Sequence, residues 1–438
     1  MVESGTTGRS ISVAWRGRER YTGALSESDY TPRLIDGRLE RLFAQLPAIL
    51  VTGPRATGKT TTAERLANTV VQLDRAAEAV AFEADPDAAL RAQREPVLLD
   101  EWQAVPGVLG AVKRAVDADP HPARFLLTGS VRGDIETETW PGTGRLVRLR
   151  MFGLSERELA AQIAGPTFLE KLLAGDPDAF TLPSDPPDLR GYIELTLRGG
   201  YPEPALRLSG DGSDAWLGGY LEQLLTRDAE GIAGHRDPLR LRRYFEATAL
   251  STAGQPEHKT LYDAAGINRK TAIAYDTLLT NLFVLELLPA WASNRLTRLI
   301  KTPKRYLVDP SLAGAALGLD PTGVLRDGDL LGRLIDTFAV AQLRPELELT
   351  SRPPRLYHLR DKEGRHEIDL IAEIAAGEIL AIEIKATAAP TRQDARHLEW
   401  LHDELGDRFV AGAVLHTGPN TLRLGKRILA IPICALWG

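Results

Sequence analysis

The sequence predicts an α/β protein with an amino-terminal parallel sheet carrying helices on both faces, a helical middle region, and a carboxyl-terminal domain of mixed α/β structure. Three observations support this prediction. Short apolar strands alternate with helical stretches from Tyr30 to about Leu154, which is typical of a parallel sheet covered by helices. Residues 259–283 have the spacing of two helices around a tight turn. Residues 367–371 and 379–385 read as two adjacent strands.

The run from Gly53 to Thr60 is a complete phosphate-binding loop. An apolar run that predicts a buried strand precedes it, and residues 61–67 after it predict a helix. Gly53 and Gly58 let the backbone curl so that its N–H groups point at a phosphate, and the helix start adds a positive dipole end. This context predicts binding of a nucleoside triphosphate. The predicted binding residues are Gly53, Pro54, Arg55, Ala56, Thr57, Gly58, Lys59, Thr60 and Thr61.

Four side chains in and after this loop predict hydrolysis of the bound nucleotide. Lys59 is expected to reach the β- and γ-phosphates, and Thr60 to give its hydroxyl to Mg²⁺, with Thr61 in reserve. Asp100 and Glu101 end an apolar strand further along the chain. Asp100 is expected to hold the Mg²⁺ through water, and Glu101 to polarise the water that attacks the γ-phosphate.

Two further residues are candidates for sensing or completing the site. The strand that begins at Arg124 ends in small hydroxyl residues, and Ser130 is the predicted γ-phosphate sensor, with Thr128 as the alternative. The alternative is that these residues are ordinary loop chemistry. Arg145, in a predicted strand spanning 142–152, is expected to act on the γ-phosphate of a neighbouring molecule. Its alternative is a solvated strand edge.

Composition narrows the class of protein. The chain of 438 residues is 43% hydrophobic and 26% charged, as a globular protein is, and no apolar run approaches the roughly 20 residues of a membrane span. A polar amino terminus without the apolar core of a secretory signal predicts a cytoplasmic location. The single cysteine, Cys434, excludes internal disulfides and cysteine-based zinc sites and is expected to be buried. With a net charge of -6, nucleic-acid binding needs a local basic surface.

The middle region offers such a surface. Residues 259–272 have the layout of a helix-turn-helix whose second helix is capped by Asn268. Arg269 and Lys270 follow the cap, where recognition helices meet DNA. The next segment predicts the basic wing of a winged helix, with its cations lying along phosphates. Its cations are Arg295, Arg298, Lys301, Lys304 and Arg305. The alternatives are a solvated hairpin, a contact with the acidic nucleotide-binding domain, or a winged helix that binds only proteins.

The carboxyl-terminal third carries a second possible catalytic site. Period-two alternation places Glu383 and Lys385 on one face of a strand that pairs, through a turn at Gly377, with the strand containing Asp369. An acid followed by Glu-x-Lys is the layout of restriction-type nuclease sites. Asp369 and Glu383 are expected to bind Mg²⁺ together and Lys385 to activate water, with Asp336 as an additional acid. The alternatives are a fold that has lost its metal and a strand pair with solvated charges.

These features together resemble the prokaryotic AAA ATPases that carry a carboxyl-terminal domain without an assigned function. The resemblance rests on residues 30–33, 53–60, 99–101, 127–130, 304–310, 367–369 and 383–385. It implies ATP as the nucleotide, since the loop itself grips only phosphates, and it implies a winged-helix-like segment, a restriction-nuclease-like domain and assembly into homo-oligomers. Such proteins usually have glutamate where this chain has Asp336, and the shorter acid weakens the case for an intact metal site.

The predicted domains are a flexible amino terminus at 1–28, an AAA-type ATPase domain at 29–174, a linker and helical segment at 175–235, a winged-helix-like domain at 236–320 and a nuclease-like domain at 321–438. The predicted function is Mg²⁺-dependent ATP hydrolysis coupled to carboxyl-terminal domains that contact nucleic acid, with DNA and RNA both left open and no membrane partner. Two alternatives belong to other classes. One is a nucleotide-gated protein-interaction switch with little turnover, and the other is a metal-dependent nuclease.

Overall fold

The computed structural model describes residues 30–131, 144–228, 237–292, 302–361 and 365–438. Residues 32–438 form one compact unit. The predicted flexible terminus and three predicted wing cations lie outside the described residues. Those cations are Arg295, Arg298 and Lys301. Within the described ranges, no helix has the length and apolar character needed to cross a bilayer.

The amino-terminal domain is a five-stranded parallel sheet with strand order β2-β3-β4-β1-β5. Its strands are β1 (Ala48–Thr52), β2 (Thr69–Gln72), β3 (Val97–Asp100), β4 (Phe125–Gly129) and β5 (Val147–Arg150). Its helices are α1 (Asp36–Phe43), α2 (Lys59–Glu64), α3 (Ala76–Ala84), α4 (Pro86–Arg91) and α5 (Val108–Ala118). The central strands β1, β3 and β4 are buried along their whole length, which explains their nearly continuous apolar sequences.

Alternation along β1 divides the apolar side chains between two cores. Leu50 joins the core formed with α3, α4 and α5, whereas Ile49 and Val51 join the core formed with α1 and α2. Helices therefore cover both faces of the sheet, which confirms the predicted fold class. Because the strands are parallel, the segments that follow β1, β3 and β4 all lie at one edge of the sheet.

The middle region is mostly helical. Its helices are α6 (Glu156–Leu159), α7 (Phe168–Ala174), α8 (Leu189–Arg198), α9 (Pro202–Leu206), α10 (Asp211–Gln223), a π-helix (Leu224–Asp228), α11 (Pro238–Leu250), α12 (His258–Ala264), α13 (Arg269–Asn281), α14 (Ser311–Leu317) and α15 (Pro321–Arg326). The predicted cap is confirmed, since the Asn268 side chain accepts a hydrogen bond from the Thr271 N–H at 2.9 Å. After α13, β6 (Leu285–Leu288) and β7 (Lys304–Leu307) pair antiparallel, the arrangement of a winged helix.

Two of the predicted wing cations are not available to phosphates. Lys304 and Arg305 are only 2% and 5% exposed, so the prediction that they lie along nucleic acid is wrong. The physical reason is that successive side chains of β7 point to opposite faces, and an aspartate lies on each side. Lys304 binds Asp336 at 2.7 Å, whereas Arg305 binds Asp276 of α13 at 3.0 Å.

The carboxyl-terminal domain places one helix on each face of a mixed six-stranded sheet with order β12-β13-β11-β10-β9-β8. Its strands are β8 (Arg355–Arg360), β9 (Glu367–Glu373), β10 (Ile379–Lys385), β11 (Phe409–His416), β12 (Leu422–Gly425) and β13 (Ile428–Pro432), and its helices are α16 (Gly328–Leu347) and α17 (Arg396–Leu405). The predicted turn at Gly377 is confirmed: its φ is +77°, and β9 pairs antiparallel with β10. Cys434 is buried, as predicted.

Candidate functional site

The phosphate-binding loop depends on two glycines. A Cβ atom on Gly53 would lie 2.0 Å from the Met151 carbonyl oxygen of the chain that follows β5, so only glycine fits where β1 ends. Gly58 has a φ of +88°, in the left-handed region, immediately before α2 begins at Lys59. The backbone path of this loop therefore requires glycine at both positions.

Lys59 is a buried cation without a carboxylate partner. Its Nζ atom donates a hydrogen bond to the Pro54 carbonyl oxygen at 2.6 Å, and the side chain is 4% exposed. Across the parts of the chain that the structure describes, no carboxylate forms a salt bridge with it. Burial lowers the pKa of Lys59 to about 8, against the attraction of the nearby Glu101 and Asp100. A buried ammonium group beside loop amides is suited to an anionic ligand.

Asp100, at the carboxyl end of β3, meets the first turn of α2. The Thr60 hydroxyl donates to Asp100 Oδ1 at 2.8 Å, and the Thr128 hydroxyl from β4 donates to the same oxygen. Burial raises the pKa of Asp100, and the two hydroxyl bonds oppose that rise. A hydroxyl and a carboxylate are ligand types that Mg²⁺ prefers, so these residues fit the cation expected beside a nucleotide.

Glu101 is held in a strained conformation beside Asp100. Its φ and ψ are both 50°, in the left-handed region that disfavours residues other than glycine. Its Oε2 atom accepts from the Ser130 hydroxyl at 3.1 Å and from the side-chain amide of Gln103. Ser130 Oγ in turn accepts from Arg55 Nε of the phosphate-binding loop at 3.2 Å. Backbone strain of this kind is concentrated at functional sites.

The structure therefore brings five of the predicted site residues to one edge of the sheet. They are Lys59, Thr60, Asp100, Glu101 and Ser130. Arg145 lies apart from them: its Nε atom binds Asp117 of α5 at 2.7 Å, and its side chain is 43% exposed. Its action on a neighbouring molecule stays a prediction. Arg269 and Lys270 are exposed at the start of α13.

Arg33 is a site residue whose role the sequence did not predict. It is 5% exposed, and its Nη1 atom donates to the Thr57 carbonyl oxygen at 2.8 Å, while Nε donates to Glu158 at 2.9 Å. In a trans peptide the carbonyl and the following N–H point in opposite directions. By holding the Thr57 carbonyl, Arg33 therefore fixes the direction of the Gly58 N–H in the phosphate-binding loop.

The segment that follows β5 connects Arg33 and the phosphate-binding loop to the carboxyl-terminal domain. Arg157 Nη1 binds Glu346 Oε1 of α16 at 2.7 Å, and both side chains are buried. The Glu156 N–H donates to Gln342 Oε1, also on α16, at 2.7 Å. Glu158 of the same segment binds Arg33, which holds the phosphate-binding loop. One short segment therefore links the loop to the long helix of the carboxyl-terminal domain.

The acids and lysine predicted for a nuclease-like site also meet, but around a second lysine. Lys304 Nζ lies 2.7 Å from Asp336 Oδ2 and 2.7 Å from Asp369 Oδ1. Lys385 Nζ lies 2.7 Å from Glu383 Oε1, and burial raises the pKa of Glu383 to about 8, with repulsion from Asp369 adding to the rise. Among the described residues, no group of three or more His, Cys, Asp or Glu is arranged to hold a metal ion. A metal between Asp369 and Glu383 stays a prediction without support from this arrangement.

Three family models match successive parts of the chain. Residues 45–160 match an AAA domain. Residues 189–323 match the domain of unknown function DUF8612, and residues 331–436 match the domain of unknown function DUF4143. The match to the AAA domain covers the phosphate-binding loop, Asp100, Glu101 and Ser130, whereas Arg33 lies before it.

Two relatives match most of the chain. Uncharacterized proteins of Mycobacterium bovis and Mycobacterium tuberculosis are each 27% identical to this chain over 402 residues, which is 90% of this chain and 82% of theirs. Among solved structures, the Walker-type ATPase PABY2304 of Pyrococcus abyssi is 15% identical with a TM-score of 0.41, over 67% of this chain and 98% of that one. Similarity at that level establishes neither a shared fold nor a shared function. The match to the AAA domain, together with the strand, loop and helix around Lys59, makes residues 45–160 similar to a P-loop domain of the AAA type.

Proposed function

We propose that this protein hydrolyses ATP in a Mg²⁺-dependent reaction at the edge of its amino-terminal sheet. The observation that carries the proposal is the 2.8 Å contact between the Thr60 hydroxyl and Asp100, made beside the buried ammonium group of Lys59. Residues from two different strand-to-helix connections thus converge where a metal-bound triphosphate has to sit. Bound Mg²⁺ would neutralise phosphate charge, with Thr60 and Asp100 as its protein contacts.

The protein groups divide the remaining work. The amides of the loop hold the phosphates, and the Lys59 ammonium exchanges its bond to the Pro54 carbonyl for bonds to phosphate oxygens. Glu101 accepts a hydrogen bond from the attacking water and orients it in line with the γ-phosphate. Ser130, between Arg55 and Glu101, is positioned to respond to the γ-phosphate.

Replacing Asp100 with asparagine tests the metal assignment. The Asp100→Asn variant should need about 10- to 100-fold more Mg²⁺ for half-maximal phosphate release, because outer-shell carboxylates contribute affinities of that order. The measurement is a Mg²⁺ titration of phosphate release at saturating ATP. Asp119→Asn, which makes the same change at an exposed position after α5, is the matched control. An unchanged Mg²⁺ midpoint in Asp100→Asn would show that this carboxylate does not hold the cation.

We further infer that the middle region contacts DNA. The helix-turn-helix formed by α12 and α13 leaves Arg269 and Lys270 exposed at the start of the second helix, the end at which such helices enter a groove. The connection between β6 and β7 carries further basic residues, which lie outside the described residues. ATP state would reach this surface through the end of β5, since Arg150 binds Glu286 of β6 at 3.0 Å.

Charge reversal at the helix start tests the DNA surface. Because each lost phosphate contact lowers the salt dependence of binding, the double variant Arg269→Glu/Lys270→Glu should bind duplex DNA more weakly, with a salt slope smaller by about 2. Fluorescence anisotropy at several salt concentrations measures both quantities. Arg91→Glu/Arg94→Glu, at the end of α4, makes the same change in net charge on the exposed surface of the AAA-type domain. If both variants bind DNA as the wild-type chain does, a protein-interaction switch becomes the better account.

A further inference from the structure

A lysine from the middle region lies at the centre of the acidic cluster of the carboxyl-terminal domain. Lys304 belongs to β7, whereas Asp336 belongs to α16 and Asp369 to β9. The lysine side chain is 2% exposed and bridges the two carboxylates at 2.7 Å each. We propose that the Lys304 ammonium is the resident cation of this cluster, taking the place of a divalent metal, so that the wild-type chain binds no metal there.

The hydrogen bonds of the two aspartates leave no carboxylate oxygen free. Asp336 Oδ2 binds Lys304, and Asp336 Oδ1 accepts from the Tyr306 hydroxyl at 3.0 Å. Asp369 Oδ1 binds Lys304, and Asp369 Oδ2 accepts from the Ile384 N–H at 2.8 Å. A divalent cation needs several oxygen ligands at close range. In this cluster each aspartate oxygen that it used would already accept a hydrogen bond from a protein donor.

Charge leads to the same conclusion. An ammonium and a divalent cation a few ångströms apart repel each other strongly in a buried, poorly polarisable setting. Removing both aspartates from water is costly, and the ammonium between them offsets part of that cost. The third acid, Glu383, already has a lysine of its own, because Lys385 binds its Oε1 atom. The Lys304 and Lys385 ammonium groups therefore already offset two of the three carboxylate charges, and a divalent cation would turn the net charge of the cluster from -1 to +1.

The arrangement has a structural consequence as well. Lys304 and Tyr306 lie on the same face of β7, and both bind Asp336 of α16. Buried polar contacts thereby hold β7 against the helix and sheet of the carboxyl-terminal domain. Metal-dependent cleavage of nucleic acid at this cluster would require Lys304 to leave the two aspartates. If β7 moved away with it, β7 would lose its contacts with α16.

Counting bound Mn²⁺ tests the proposal. The parent protein is the full-length chain with Asp100→Asn, without nucleotide, so that the AAA-type site contributes little Mn²⁺ binding. Free Mn²⁺ is measured by electron paramagnetic resonance during a titration into the millimolar range. In the parent we expect no Mn²⁺ site at this cluster. Adding Asp369→Asn should therefore leave the number of bound Mn²⁺ ions unchanged. Adding Lys304→Met to the parent should create one Mn²⁺ site per chain, which Asp369→Asn then removes.

Lys385→Met is the matched control, since it removes the other lysine of the cluster, leaves Lys304 in place and should create no Mn²⁺ site. The proposal is overturned if the parent binds a Mn²⁺ ion that Asp369→Asn abolishes. It is also overturned if Lys304→Met gains no Mn²⁺ site while its circular dichroism and melting curve show a folded chain. Should Lys304→Met fail to fold, the comparison of the parent with its Asp369→Asn variant decides the question alone.

Discussion

Replacing Glu101 with glutamine should lower the rate of ATP hydrolysis by about 100-fold or more while leaving ATP bound, because a positioned general base contributes on the order of 100- to 10,000-fold. Glutamine has the same length and still accepts the hydrogen bond from Ser130, so the site should keep its shape. The measurement combines single-turnover phosphate release with retention of labelled ATP on a desalting column. Slow release together with full retention is the expected pair of results.

The control for this variant is Glu83→Gln, the same chemical change at an exposed position on α3. It should hydrolyse ATP at the wild-type rate. If Glu101→Gln also turns over at the wild-type rate, then the attacking water is oriented by another group. Loss of ATP retention in Glu101→Gln would instead indicate that Glu101 supports binding rather than catalysis.

Replacing Lys59 with methionine should abolish ATP binding and at the same time stabilise the nucleotide-free protein. The ammonium group is buried, no carboxylate of the described ranges forms a salt bridge with it, and burial lowers its pKa from 10.5 to about 8. Since each pKa unit corresponds to about 1.4 kcal/mol, removing this charge should raise the free energy of unfolding near pH 7 by on the order of 1 to 3 kcal/mol. Urea unfolding without nucleotide measures the gain.

The pH dependence of this gain has a definite sign. Below about pH 8 the folded wild-type chain carries the whole cost of the buried charge, because Lys59 is protonated in both the folded and the unfolded state. Between about pH 8 and pH 10 the folded form loses that proton first, so the advantage of Lys59→Met should shrink. The half-exposed Lys113, changed to methionine, should give no gain at any pH. A loss of stability in Lys59→Met at pH 7 would mean that the ammonium is well compensated in the nucleotide-free protein.

The parts of the fold that the sequence predicted well are those encoded by neighbouring residues. The phosphate-binding loop is a contiguous run, and the buried strand before it and the helix after it lie within a few residues. The strand pair around Gly377 and the Asn268 cap are local in the same sense. The position of Asp100 beside the phosphate-binding loop was predictable because an apolar strand that ends in two acids is a short pattern that accompanies such a loop.

The parts that the sequence did not predict depend on contacts between distant residues. Arg33 holds the loop through Thr57 and Glu158, which are 24 and 125 residues away from it. Lys304 and Arg305 appeared to be solvated because they continue a run of cations, yet the aspartates that bury them are separated from them by about 30 residues or more. A list of charges along a strand cannot distinguish a cation facing water from one facing a buried carboxylate.

The segment after β5 gives the nucleotide site a physical connection to the carboxyl-terminal domain. Glu158 holds Arg33 beside the phosphate-binding loop, and Arg157, its neighbour, binds Glu346 of α16. Both ion pairs are buried, so removing one partner leaves an uncompensated charge. A movement of the loop when ATP binds would therefore reach α16 through these two buried ion pairs rather than through solvent-exposed contacts.

Steady-state phosphate release from the full-length protein with ATP and Mg²⁺, compared with Lys59→Ala and run with and without duplex DNA, tests hydrolysis at this site most directly. We predict release that requires Mg²⁺, disappears in Lys59→Ala and rises when DNA is added. Release of equal rate in the wild-type chain and in Lys59→Ala would contradict the account, because the phosphate would then come from chemistry outside the phosphate-binding loop.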